Sequence, residues 1–189
     1  MSRWASNSNS SPEATETDLE SIVAGGADPA AAPHPTRVAG LDALPATRRL
    51  AGISRALAAD PTRITRALGR LRPGYDAMVL DLPSSLGRLT VSALAAADGI
   101  VIPVTASVAG VHGLAGFRDW LASFRADRVI TAPVWGVLVT QAELDTQGRM
   151  GTQVGREVRD ALADFRVTGA PLLPVLVPRR VGVNTEHRR

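Results

Sequence analysis

The sequence has no cysteine. Disulfides, thiolate metal sites and cysteine nucleophiles are therefore excluded together, and the composition suits a cytoplasmic chain. Lysine is absent too: all 21 basic residues are arginine. A genome rich in G and C would produce that bias without selection on the protein. It still removes every mechanism that needs an ammonium group, including Schiff-base chemistry and a phosphate-loop lysine. Aromatic residues make up only 4%, so the core has to be built from Ala, Val, Leu and Ile. The three histidines, His34, His112 and His187, are far apart and give no zinc-ligand spacing. His112 reads as a surface residue. No apolar run approaches the ~20 residues that span a bilayer, and the polar start Met1–Asn7 does not read as a signal peptide.

What is present is a 189-residue chain, 45% hydrophobic, with a formal net charge of +3. That length and composition suit one folded domain. Residues 1–17, rich in Ser, Asn, Thr and Glu, read as a disordered lead-in. Residues 18–183 read as the α/β domain, and 184–189 as a polar tail.

Thr17 to Val23 can form a short helix with an acidic first turn, ended by Gly25-Gly26. Residues 38–44 suggest a short strand, and Leu50, Ile53 and Leu57 a helical stretch. Asp60-Pro61-Thr62 opens a further helix, with Ile64, Leu68 and Leu71 on its apolar face and Pro73-Gly74 at its end. The continuous apolar run Ala77 to Leu80 reads as a strand buried on both faces. Strands are also expected at 100–104, 134–140 and 172–177, in one sheet with 77–81. Helices are expected at 90–97, along Val111–Phe124 and at 149–164. Alternating strands and helices imply an α/β fold, a mainly parallel sheet flanked by helices. Ligands of such sheets sit at the carboxyl ends of strands, which singles out Asp81 to Ser85, Thr105 to Ser107, Thr140 to Asp145 and Pro178 to Arg180.

A carboxylate that closes an apolar strand, as Asp81 does, can orient the water shell of a nucleotide-bound Mg²⁺. The text around it is more specific. Tyr75-Asp76, then Met78-Val79-Leu80-Asp81-Leu82-Pro83-Ser84-Ser85-Leu86-Gly87, resembles the segment YD-hhh-D-x-PP-x-hG of the ParA/MinD-type partition ATPases. Leu89-Thr90 through Ala93-Leu94 with Ala96-Ala97-Asp98 is similar to that family's LT-x-NAL-x-AAD. Ile102-Pro103-Val104 with Gly113-Leu114 is similar to its hIPV…GL. Leu44-Pro45-Ala46 with Arg49-Leu50-Ala51, Gly155 to Arg159, and Val177-Pro178-Arg179-Arg180-Val181 resemble further family segments in the same order.

The resemblance implies a P-loop NTPase-like fold, here incomplete. The family's KGGxGKT/S phosphate loop has no counterpart: Gly25-Gly26 stands alone and reads as a loop after a helix. Ser84 replaces the second proline of the PP pair, and Ser92 the asparagine of NAL. The sequence resembles an amino-truncated, carboxyl-shortened member, with strand edges left open. By resemblance Asp81 is the Walker B carboxylate, holding Mg²⁺ through water. Pro83 and Ser84 match the loop near the γ-phosphate, and Thr140, Pro178 and Arg179 match positions around the adenine.

The family implies Mg-ATP as cofactor, a ParB-like partner, and dimers that bind DNA without sequence preference. The dimer could be with itself or with a full-length homologue. Arg125, Arg128, Arg149, Arg156 and Arg159 are the DNA candidates, and a solvated charged face is the alternative for them. A cytoplasmic, nucleoid-associated protein of plasmid or chromosome segregation is expected, unable to hydrolyse ATP alone. The alternatives are a non-enzymatic partner-binding remnant and a MinD-like positioning ATPase. The polar tail argues against a membrane-bound helix of the MinD kind.

Overall fold

In the computed structural model the described residues are 18–25, 27–46, 53–142, 160 and 170–178. They fall into two compact units, Met1–Ala96 and Ala97–Arg189.

The first unit is mainly helical. Helix α1 (Leu19–Ala24) opens on a capping box, in which the Asp18 carboxylate accepts the Ser21 N–H and the Ser21 side chain takes the Asp18 N–H. Gly25, at φ +87°, closes it in the left-handed conformation that costs glycine little. Strands β1 (His34–Pro35) and β2 (Asp42–Ala43) form a short antiparallel ladder in place of the single strand expected at 38–44. Helices α2 (Ser54–Ala59) and α3 (Arg63–Leu71) follow, with α4 (Arg88–Ala96) later in the chain. The α3 periodicity holds: Ile64, Ala67, Leu68 and Leu71 are buried and join Ile22, Val23, Ile53 and Leu57 in one core. The Asp60 carboxylate accepts the Thr62 N–H and hydroxyl ahead of α3. Those bonds, then the Arg66 guanidinium, hold its carboxyl below the usual range.

Residues 77–81 depart from expectation. They form no strand, and they lie in a different unit from the sheet. Met78 and Leu80 pack on the helical core, while Val79 is 94% exposed. A strand exists through hydrogen bonds to a neighbour. Among the described residues this unit holds only the two-residue ladder, so the run is covered on one side and bonded on neither.

The second unit carries a three-stranded parallel sheet in the order β3-β4-β5: β3 (Ile100–Thr105), β4 (Val134–Ala142) and β5 (Leu172–Pro178). Three of the four expected strands thus share one sheet. Helix α5 (Val108–Ala126) links β3 to β4 and packs on β3. Ile102, Val104, Val137 and Val139 are buried on one face with Leu114 and Leu121 of the helix. On the opposite face Val101, Val175 and Val177 remain exposed. Phe117, Trp120 and Phe124 stack along α5 at ring separations of 5.6 and 4.9 Å. The helix expected at 149–164 falls outside the described residues except for Asp160, which is helical and exposed. Among the described residues no helix is long and apolar enough to cross a membrane.

Candidate functional site

Asp81, Pro83 and Ser84 stand together on the irregular segment between 75 and 87, and all three side chains are exposed. The segment is tied at both ends. Downstream, the buried Thr90 donates its hydroxyl to the Ser85 carbonyl at 2.6 Å, and the Val91 N–H reaches the Gly87 carbonyl at 3.1 Å. This fixes the loop to the first turn of α4, so its position follows from an ordinary helix start. Upstream, the Tyr75 hydroxyl donates to the Asp42 carboxylate at 2.8 Å.

That bond first, then partial desolvation, pushes the Tyr75 phenol up. Tyr75 is the chain's one tyrosine, so the pH-dependent tyrosinate difference absorbance reports it alone, over a tryptophan background that does not titrate. Asp42→Asn is expected to lower the alkaline midpoint. The sign follows because the carboxylate favours the protonated phenol that donates to it, and a neutral amide favours it less. An unchanged midpoint would show that the two groups are not bonded in solution.

A second cluster lies at the carboxyl ends of β3, β4 and β5. The half-buried Thr140 donates its hydroxyl to the Val104 carbonyl at 3.2 Å, and its own carbonyl accepts the Ala106 N–H at 3.0 Å. Thr140 lies across from Val177 and Ala142 from Pro178, so two of the expected adenine-side residues are neighbours. Between them Gln141 adopts φ +53°, at a break in the β4–β5 register. The Thr105 and Ser107 hydroxyls are 3.0 Å apart, and Ser107 Oγ accepts the Gly110 N–H to cap α5. Asp81, Pro83 and Ser84 belong to the first unit and Thr140 and Pro178 to the second. Arg179 lies outside the described residues.

Of the expected DNA-contacting arginines, Arg149, Arg156 and Arg159 also lie outside the described residues. Arg125 is engaged within the unit: its guanidinium donates to the Ala132 carbonyl at 2.6 Å and ties the α5–β4 loop back to the helix. Arg128, at φ +55°, is exposed on that loop. The two line an open depression of about 530 Å³ with Ile130, Thr131 and Pro133. His112 is exposed, as expected.

The oxygen of Asp81 is a suitable hard donor toward hydrated Mg²⁺. The phosphates of a nucleotide need cationic and N–H donors as well, and the 189 residues hold no lysine and no KGGxGKT sequence. Of Mg-ATP, the metal side is the one that Asp81 would suit.

A parallel sheet with a crossover helix, and an acidic loop motif at Asp81, are features of the P-loop NTPase-like class. Within that class, a family model described as an AAA domain matches residues 6–129, well over half of the chain. The chain belongs to that family, among the ParA/MinD-type partition ATPases.

Among its relatives is the chromosome-partitioning ATPase Soj of Thermus thermophilus. It is 38% identical over 148 residues, which are 78% of this chain and 55% of that protein. The sporulation initiation inhibitor protein Soj of Bacillus subtilis is 34% identical over 151 residues, 77% of this chain and 56% of that protein. The chain thus spans little more than half the length of these relatives. An ATP complex of McdA from Cyanothece matches the fold with a TM-score of 0.72 at 18% identity, over 80% of this chain and 59% of that one. Cobyrinic acid a,c-diamide synthase from Mycobacterium smegmatis, solved with an ATP analogue and magnesium, matches with a TM-score of 0.70 at 25% identity. That match covers 87% of this chain and 65% of that one.

Proposed function

We propose that the chain acts in plasmid or chromosome segregation as a partition-family subunit that does not turn over ATP by itself. The observation that carries this is the pairing of a family-type acidic loop, Asp81 with Pro83 and Ser84, with a sequence that contains no lysine at all. Phosphoryl transfer rests on cations and N–H donors around the transferring group. Asp81 adds negative charge there, and its service is limited to holding hydrated Mg²⁺. An arginine cannot replace an ammonium seated in a glycine-rich cradle, because its planar fork is longer and larger.

On this reading the chain works through what it binds. Its partners are a ParB-like protein and a second subunit of the same family, its own copy or a longer homologue. Non-specific DNA contact belongs to the same proposal, through Arg128 and the later arginines. The place of action is the cytoplasm, at the nucleoid. Support comes from the family membership and from the Soj relatives, whose names place those proteins in chromosome partitioning and sporulation control.

The test is phosphate release by residues 1–189 with Mg-ATP, with and without duplex DNA. The expected rate equals that of an Asp81→Ala variant and that of buffer. Turnover that the Asp81→Ala substitution abolishes would overturn the reading and call for another cation source at the phosphates.

A further inference from the structure

A parallel sheet is ordinarily buried on both faces. In the second unit one face is open. Ile102, Val104, Val137 and Val139 are buried on the side of α5, and the residues that alternate with them belong to the other side. Those residues are Val101, Pro103 and Leu138, joined on β5 by Val175 and Val177. Val101 is 45% exposed, Val175 60% and Val177 44%. Trp135, 57% exposed, lies over Gly99 at the start of β3, where an added Cβ would strike its ring. Of the nine large hydrophobic residues exposed among the described residues, four therefore sit on this one sheet. Scattered singly they would need no explanation, but gathered they mark a contact surface.

Connections between the strands do not account for this face. The order β3-β4-β5 runs in one direction. Right-handed connections in a sheet that grows one way all pass over the same face, and α5 marks which face that is. Residues 1–17 and 179–189 are polar in sequence and carry no apolar stripe at helical spacing. Size then selects the occupant. Three strands about 4.8 Å apart and about 20 Å long make a patch of about 300 Å². A stable contact between two copies needs about 800 Å² from each, so this face against its own copy is too small. One helix about 10 Å across and about 13 residues long matches the patch in both directions. A strand added at the edge of β3 would leave the face bare, and Pro103 offers it no N–H.

We infer that the open face of β3, β4 and β5 docks one amphipathic helix supplied from outside these 189 residues, with Trp135 as an aromatic anchor. The partner presents leucine, isoleucine or valine at i, i+3, i+4 and i+7, the stripe that a helix lays on an apolar surface. None of Val101, Pro103, Trp135, Leu138, Val175 and Val177 is charged, so attraction comes from apolar burial and is not screened by salt. A half-exposed tryptophan beside such a patch is the residue type that most often dominates binding energy. This surface needs neither Asp81 nor ATP, and failure of the proposed function would leave it standing.

The experiment is fluorescence anisotropy of the full chain with a labelled synthetic peptide of about 18 residues, leucines on one helical stripe and Glu and Lys elsewhere. A control peptide holds the same residues in an order without the stripe. The striped peptide should bind saturably, one to one, and the control at least about tenfold more weakly. Affinity should change less than about twofold between about 50 and 500 mM salt. The Val175→Glu, Val177→Glu pair should weaken binding more than about tenfold, because it sets charge against an apolar stripe. The Val175→Thr, Val177→Thr pair keeps side-chain shape and strand preference and should weaken it about threefold, which covers the case in which the Glu pair does not fold. Val38→Glu, at an exposed valine of the first unit, should change affinity less than about twofold. The inference is overturned if the striped peptide does not saturate, if the control binds equally, or if both Val175 and Val177 pairs keep wild-type affinity. Sedimentation equilibrium of the free chain supplies the other arm: a dimer that the Val175 and Val177 changes dissolve would make a second copy the occupant and overturn the helix.

Discussion

Gly110→Ala should cost the second unit about 2 kcal/mol or more, although alanine is the better helix former. Gly110 lies in the first turn of α5, directly beneath the end of β3. A Cβ built there clashes with the Thr105 carbonyl oxygen and meets the Thr105 hydroxyl at 2.7 Å. The hydroxyl can rotate away, but the carbonyl is backbone. It also accepts the Ser107 N–H at 2.7 Å, in the turn that leads into the helix. Relief requires α5 to lift from β3, which would disturb the packing of Leu114 and Leu121 against Ile102 and Val104. Helix propensity returns about 1 kcal/mol to alanine, so the steric loss has to exceed that amount to show. Gly113 and Gly116, in the same helix, have nothing within 4 Å of an added Cβ. Gly113→Ala and Gly116→Ala are therefore expected to stabilise by about 0.5–1 kcal/mol each. Urea denaturation of the three variants separates the cases, because the sign reverses within one helix. A stabilising Gly110→Ala would show that α5 does not approach β3 as closely as described.

The contrast among these glycines marks where sequence reading stops. The 3.6-residue period located α5 and α3, and short apolar runs located β3, β4 and β5, because those patterns are local, although Val101, Val175 and Val177 of these apolar runs stay exposed. The run Ala77 to Leu80 has the same local text as β3. It fails as a strand because a ladder needs a neighbour, and neighbours are not written in the run itself. The acidic loop was legible by its motif: Asp81, Pro83 and Ser84 do share one short segment, anchored by Thr90. Thr140 and Pro178 stand at the ends of adjacent parallel strands, on either side of a register break. What could not be read was how side chains are already used. Arg125 looked like a free cation on a helix, yet its guanidinium ties down the Ala132 carbonyl. The left-handed Gln141 had no signal, since glutamine shows no preference for positive φ.

The same limit sets up a test at the loop before β4. Val129 and Ile130 are adjacent and both β-branched, and neither falls in a periodic stretch. Val129 is 43% exposed, whereas Ile130 is 1% exposed and among the most deeply buried side chains of the described residues. The backbone explains the difference. The N–H groups of Val129 and Ile130 both reach the Phe124 carbonyl, at 2.9 and 3.3 Å, so the chain folds back on the end of α5. The Arg125 bond to Ala132 then closes the loop from the other side and turns Ile130 inward. Ile130→Ala removes buried methylene and methyl groups and leaves a cavity that a loop held at both ends cannot fill. The expected loss is about 3 kcal/mol, within the range of about 2–5 for such truncations. Val129→Ala, which trims a side chain that mostly faces water, should stay within about 0.5 kcal/mol of wild type. Equilibrium denaturation of the two variants, read by the combined fluorescence of Trp4, Trp120 and Trp135, decides the matter. Similar losses for both would mean that the loop does not hold Ile130 in the core. A wide gap would show that this loop, and not only the strands and helix beside it, carries the stability of the second unit.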